Sequence, residues 1–332
     1  MSATRIEKLR RWGLWIILAL VVAGFAIASP TFRTPYNLAN VLEQNSVIGV
    51  VACGMAIMMI SGGFDLSVGA TGAAASVLGS VVAVAGGGDF LAIVAGLAVG
   101  VLVGLVNGLI IARIRINAFV TTFAMASIVS GILFVATGAQ SSVGVSPLLK
   151  TIATSNIGPV PTVFIVFLLA LAGTWLLLTR SRFGHYVYSV GGNAEASHLS
   201  GVPVARVQTI AFVLGGVLAA AGGLLLLGQT DVGQPSAAAS WPLQAIAICV
   251  VGGVALTGGV GRIFDVFAAT LLLGVIGNGL RQVGVVAYWV PVVTGVVILG
   301  AVILDQFNRQ RRSGAKAAPV AAPAAATATS GT

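Results

Sequence analysis

Charge is scarce in this sequence. Aspartate, glutamate, lysine and arginine make up 8% of 332 residues, against roughly 25% in soluble globular domains. With 58% of residues hydrophobic, a water-facing surface cannot be built, which excludes an ordinary solvated fold. Lysine is limited to Lys8, Lys150 and Lys316. None of them closes a glycine-rich phosphate loop, so ATP hydrolysis by that route is excluded. The two histidines, His185 and His198, share one polar segment without a neighbouring cysteine, which argues against a metal centre. The two cysteines, Cys53 and Cys249, sit inside apolar runs and read as small buried hydrophobes rather than a disulfide. No Gly-x-Ser-x-Gly elbow or other plausible catalytic set occurs, so an intramembrane enzyme finds no support.

What is present is apolar and rich in glycine, with 44 glycines in all. Apolar runs of spanning or near-spanning length occupy 12–29, 47–61, 68–86, 90–111, 118–136, 161–178, 208–227, 242–257, 263–280 and 290–305. The fold class is therefore an all-α membrane protein, a polytopic bundle of about ten transmembrane helices. Arg5, Lys8, Arg10 and Arg11 precede the first run, and Ala26-Ile27-Ala28 resembles a signal cleavage site. The run is long for a signal core and many spans follow, which favours an uncleaved first helix. An even number of spans puts both termini on one side. With the N- and C-termini cytoplasmic, all but three of the 17 lysines and arginines lie inside, leaving Arg33, Lys150 and Arg281 outside. That is the positive-inside pattern, and cations confined to short gaps argue against a nucleic-acid partner. The organisation is a cytoplasmic N-terminus (1–11), a transmembrane domain (12–305) and a cytoplasmic tail (306–332). Its Ala, Pro, Thr and Ser composition predicts disorder in the tail.

Three local patterns stand out. Gly96, Gly100, Gly104 and Gly108 recur every four residues, a ridge along one helix face where another backbone approaches closely. That approach is either internal packing or a subunit interface. The runs beginning Gly62-Gly63 and Gly252-Gly253 share the pattern Gly-Gly-x-x-Leu-Ser/Thr-x-Gly, and each follows a short span, as at the broken helices of carriers. Asp65 is the one acid near such a break and is expected to cap the third span. So few intramembrane charges argue against an ion-coupled secondary carrier.

Gly62-Gly63-Phe64-Asp65-Leu66-Ser67-Val68-Gly69 resembles the Gly-Gly-Ile-Asp-Leu-Ser-Val-Gly signature of permeases from ribose/xylose/galactose-type ABC importers. Thr179-Arg180-Ser181-Arg182-Phe183-Gly184-His185-Tyr186, Gly191-Gly192-Asn193-Ala194-Glu195-Ala196 and Leu199-Ser200-Gly201-Val202 resemble that family's large cytoplasmic loop. Asn107-Gly108, Gly258-Gly259-Val260-Gly261-Arg262-Ile263, Asn278-Gly279-Leu280 and Val302-Ile303-Leu304-Asp305 follow the same order. The chain departs at Asn117-Ala118, where the family often has proline.

The resemblance implies a multi-pass permease of the bacterial inner membrane, forming the path for a monosaccharide-like solute. It would bind no cofactor itself, with ATP and Mg held by partner ATP-binding subunits. An extracytoplasmic solute-binding protein and a second permease chain, as a homodimer, complete the expected assembly in the lipid bilayer. Pathway candidates are Phe64, Asp65, Asn107, Thr121, Thr122, Gln244 and Asn278, polar or aromatic groups at helix breaks or within spans. Coupling to the ATP-binding subunit falls to the loop at 179–207, through Gly192, Asn193, Glu195, Ala196 and Gly201. Asn193 is placed to cap a short helix over 194–200. The alternatives are the same type of permease for a branched-chain amino acid, a nucleoside or a signalling sugar, and a secondary carrier.

Overall fold

A computed structural model describes residues 3–300 except 287, 290, 291, 294, 297 and 298, with side chains from Trp12 onward. Among the described residues the helices are α1 (Ala3–Ala28), α2 (Pro35–Ile60), α3 (Val68–Val84), α4 (Gly88–Leu109), α5 (Ala118–Thr137), α6 (Pro147–Thr154), α7 (Thr162–Arg180), α8 (Arg182–Gly192), α9 (Ala194–Leu199), α10 (Val204–Thr230), α11 (Trp241–Val251) and α12 (Ile263–Gln282). A π-helical turn, Ile110–Ile114, extends α4. Strands β1 (Ser142–Val143) and β4 (Val232–Gly233) pair antiparallel, as do β2 (Asn156–Ile157) and β3 (Val160–Pro161). Each apolar run up to 263–280 coincides with one of these helices, except that 242–257 continues past the end of α11 at Val251. The tenth run, 290–305, lies largely outside the described residues, and the tail at 306–332 wholly so.

Local chemistry explains where the helices start and stop. Thr34 caps α2 by accepting from the Asn37 N–H, and Pro35 fills the first helical position, where no donor is needed. The helix therefore begins twelve residues before the apolar run at 47. Asn37, Glu43, Gln44 and Asn45 hide its first turns from hydropathy. Ser146 caps α6, Ser181 caps α8 and Asn193 caps α9. Neither α6 nor α8 is visible as an apolar run, because both are short and one-sided.

The core gathers around α2 and α10. Met55, Ile57, Met58, Met59 and Ile60 are fully buried with Phe167 and Phe212. The glycine ridge of α4 is buried inside the chain, against α10. A β-carbon at Gly100 would collide with the Gly216 carbonyl oxygen, and one at Gly104 with the Phe212 carbonyl oxygen. One at Gly108 would sit 2.7 Å from the Thr209 Cα, and one at Gly96 2.6 Å from Leu224 Cδ2. Between Gly100 and Gly104, off the ridge, Val101 is exposed and Val103 is buried at 7% exposure.

The loops sort into two ends that match the partition made by charge. At one end Lys150 Nζ meets Asp231 Oδ2 at 2.6 Å, β1 pairs β4, and Ser80 Oγ donates to the Gly144 carbonyl. Leu148 N–H donates to Asp89 Oδ1 at that end. At the other end the Gly259 N–H donates to the Ile60 carbonyl at 2.9 Å. The run at 242–257 is not one crossing helix. Helix α11 has 11 residues, about 16 Å at 1.5 Å per residue, or half a bilayer core. The other half is irregular chain running down α3, where Gly233 lies against Val77, Ala238 against Gly69, and Trp241 2.6 Å from the β-carbon position of Gly72. One side of this segment is covered by protein, with Gly233, Pro235 and Ala238 buried, while Gln234, Ser236, Ala237, Ala239 and Ser240 are exposed. Irregular backbone at depth needs either protein or a polar cavity beside it.

Candidate functional site

The break between α2 and α3 holds a buried polar cluster. Asp65 Oδ1 accepts from the Ser67 N–H and from Ser67 Oγ, each at 2.6 Å. Ser67 immediately precedes α3, so the carboxylate sits where the first free N–H groups of that helix begin. Asn107 Nδ2, from α4, donates to Ser67 Oγ at 2.9 Å and to Asp65 Oδ2 at 3.3 Å. Thr122 Oγ1, from α5, accepts from the Leu66 N–H at 3.0 Å. Asn107 Oδ1 and Thr121 Oγ1 are buried with no hydrogen-bond partner, a cost of about 1–3 kcal/mol each. Four pathway candidates thus come together at one helix break: Asp65, Asn107, Thr121 and Thr122 lie on it or on the first or last turns of the helices around it. Phe64 lies beside them, its ring edge-on to Phe119 at 6.3 Å.

The remaining two candidates lie elsewhere. Gln244 is exposed on α11 and donates to Ser240 Oγ. Asn278, on α12, exchanges amide bonds with Asn37: Asn37 Nδ2 donates to Asn278 Oδ1 at 2.9 Å and Asn278 Nδ2 to Asn37 Oδ1 at 3.0 Å. Gln282 Nε2 adds a bond to Asn37 Oδ1 at 2.8 Å, and its carbonyl accepts from Ser29 Oγ. This second cluster pins the start of α2 to the end of α12. Sequence reasoning missed Asn37 and Gln282 because neither lies in an apolar run.

The two helix breaks meet in space. Helix α2 ends with Gly62 N–H on the Met59 carbonyl and Gly63 N–H on the Met58 carbonyl, and α11 ends with Gly253 on Val250 and Val254 on Cys249. Both are Schellman turns, with Gly62 at φ +95° and Gly253 at φ +74°. The structural correspondence therefore sets Gly62 opposite Gly253. The sequence pattern, which sets Gly62 opposite Gly252, is out of register by one.

Between these ends sits the end of α8. A β-carbon at Gly191 would strike the Ile60 carbonyl oxygen; one at Gly258 would lie 2.7 Å from the Gly191 carbonyl oxygen and 2.8 Å from the Gly62 Cα. One at Gly259 would lie 2.6 Å from the Gly192 Cα. Four glycines thus let three backbones touch. Tyr188 Oη, also from α8, donates to the Gly261 carbonyl at 2.9 Å. Burial pushes its phenol pKa above the ordinary value against the opposing effect of the Arg262 guanidinium, so it remains a donor at neutral pH.

The segment expected at 179–207 is a helical corner. Its outer residues belong to α7 and α10, and α8 and α9 fill the middle. Asn193 Oδ1 accepts from the Ala196 N–H at 2.9 Å, and Ser189 Oγ meets Ser197 Oγ at 2.8 Å. Helix α9 closes in a Schellman turn with Gly201 at φ +82°, a conformation that glycine adopts freely. Glu195 and Ala196 are exposed on this short helix, and Gly192 opens to solvent with nothing beside its β-carbon position.

Apolar crossing helices, one of which (α2) ends in a break paired with that of the half-span α11 and joined to it through a helical corner, define a polytopic membrane permease. Comparison with known proteins gives the family. The family described as "Branched-chain amino acid transport system / permease component" matches residues 37–302. The chain belongs to this family of ABC-importer permeases. The ribose import permease RbsC of Escherichia coli (strain K12) is 36% identical, covering 87% of this chain and 92% of its own. The L-arabinose transport system permease AraH of Escherichia coli (strain K12) is 35% identical, over 91% and 92%. The galactose/methyl galactoside import permease MglC of Salmonella typhimurium (strain LT2) is 34% identical, over 94% and 100%. No solved structure matches. The chain is accordingly a multi-pass inner-membrane transport component without its own ATPase site, working with ATP-binding and solute-binding partners.

Proposed function

We propose that this chain forms the path for a monosaccharide-class sugar, as one of two identical permease chains with both termini cytoplasmic. Helices α8 and α9 seat in a groove of the ATP-binding subunit and transmit its closure. The observation that carries the coupling reading is the contact of Gly191 with Ile60 and Gly258, which joins the corner directly to both helix breaks. ATP-driven movement of the corner would then reach Asp65 and Asn107 without an intervening element. The unpartnered Asn107 Oδ1 and Thr121 Oγ1 offer acceptor and donor sites of the kind a hydroxylated solute uses. The relatives' names, for ribose, L-arabinose and galactose, support the solute class. The family description names branched-chain amino acids, which is the second reading.

The test is uptake into vesicles holding the permease, the ATP-binding subunit and the binding protein, with ribose, arabinose, galactose and leucine compared. ATP-dependent uptake of a sugar is expected. Seating Glu195 in a partner groove as a buried charge-assisted hydrogen bond contributes about 1.5–3 kcal/mol, so its reversal should weaken docking at least about tenfold. Glu195→Lys and Gly201→Val should leave the protein inserted, abolish uptake and reduce co-purification of the ATP-binding subunit. Unchanged uptake in both variants would remove the coupling role of α9. Uptake of leucine alone would select the second reading, and uptake driven by an ion gradient with the permease alone would make it a secondary carrier.

A further inference from the structure

A groove of about 1180 Å³ opens where the end of α4, the π-helical turn, α9 and the start of α10 meet. Its volume exceeds the roughly 300–1,000 Å³ of small-solute pockets. Two kinds of side chain line it. Leu105, Leu109, Ile111 and Ile210 continue the apolar faces of two spanning helices, and Arg113, Arg115 and Arg206 stand at the ends of those helices. Against three arginines the lining has one carboxylate, Glu195. All three arginines are exposed, and among the described residues none makes an ion pair. The backbone is irregular here. The helix widens into a π turn, and Arg115 adopts φ +62°, a left-handed conformation that costs a non-glycine residue roughly 1–2 kcal/mol. Wide turns and left-handed residues of this kind cluster at binding sites. Around the rim Ile114, Ile116 and Leu199 are exposed, Leu199 at 82%.

An apolar wall that runs into the bilayer, topped by unpaired guanidinium groups at its surface, complements one class of molecule. We propose that this groove is a binding site for an anionic phospholipid, its phosphate held by Arg113, Arg115 and Arg206 and its acyl chains laid along α4 and α10. Guanidinium groups grip phosphate oxygens in pairs, and basic clefts between spanning helices select anionic headgroups. Helix α9 forms one wall of the site through Ala194, Glu195, His198 and Leu199, so an occupied groove would brace the corner from the membrane side. The site is independent of which solute the permease carries.

Native mass spectrometry of the purified full chain, exchanged into detergent with phosphatidylglycerol or phosphatidylcholine, tests this. The wild type should retain phosphatidylglycerol in preference to phosphatidylcholine. Arg113→Gln combined with Arg206→Gln should weaken that retention at least about tenfold, while Arg33→Gln, at the other end of the molecule, changes nothing. The charge-keeping pair Arg113→Lys and Arg206→Lys should keep the preference, which separates lost charge from lost folding. Equal retention of both lipids, or a Gln double variant that holds phosphatidylglycerol as the wild type does, would overturn the proposal. So would full competition by inorganic phosphate, which would make it a free-anion site. Release of the lipid when the ATP-binding subunit is added would assign the groove to that protein instead and equally overturn it.

Discussion

At the scale of single residues, the polar groups buried in this permease do two different jobs. Asn37 and Asn278 satisfy each other's amides, and with Gln282 they act as a clamp between two helices. Asn107 and Thr121 each leave one atom unpaired, which a purely structural cluster would avoid. Asn278 was a pathway candidate on sequence grounds, and its bonds to Asn37 suggest a test. Asn278→Ala should strand the Asn37 amide and cost about 1–3 kcal/mol, read as a lower unfolding temperature in detergent, with sugar uptake retained. The double variant with Asn37→Ala should cost less than the two single changes together, because both remove the same bonds. Loss of uptake in Asn278→Ala at unchanged unfolding temperature would put this residue in the pathway after all.

At the scale of helices, close approach rather than side-chain volume decides the packing. Membrane helices gain little from hydrophobic burial against one another, so contact between backbones takes over. On α4, Gly100→Leu and Gly104→Leu should drive α10 away and lower the yield of monodisperse protein on size exclusion, because a side chain must displace a carbonyl of the neighbouring helix. Val101→Leu, exposed, should behave as the wild type. Val103, buried, is no control despite lying off the ridge. The ridge could be read from its four-residue spacing alone, but not which surface it met. Spans of plain hydropathy were equally legible, since lipid exposure demands continuous apolar sequence. Helix α11 was not, because residues 252–257 continue its apolar and glycine-rich composition past the turn that ends it at Val251. The first turns of α2 were lost for the opposite reason, polar residues such as Asn37 and Asn45 being hydrogen-bonded within the protein.

At the scale of the molecule, the helices carry the loops alternately to two ends, and among the described residues most of the cations fall at one of them. Reporter domains inserted after Arg115 and within 185–200 should read cytoplasmic, and those near Lys150 and Asp231 external. The Lys150–Asp231 pair and the β1–β4 ladder hold those two loops at one end, so their reporters must agree, and a cytoplasmic reading at Lys150 would overturn the orientation. Close backbone contact where α2, α8 and the chain after α11 meet restricts how the protein can change. Gly62, Gly258 and Gly259 hold positive φ, and Gly191 faces the Ile60 carbonyl. Every single-base missense change in a glycine codon adds at least a β-carbon. At these four codons, therefore, the genetic code contains no small step: side chains elsewhere can drift one mild substitution at a time, but the joint where these three backbones touch must be inherited whole.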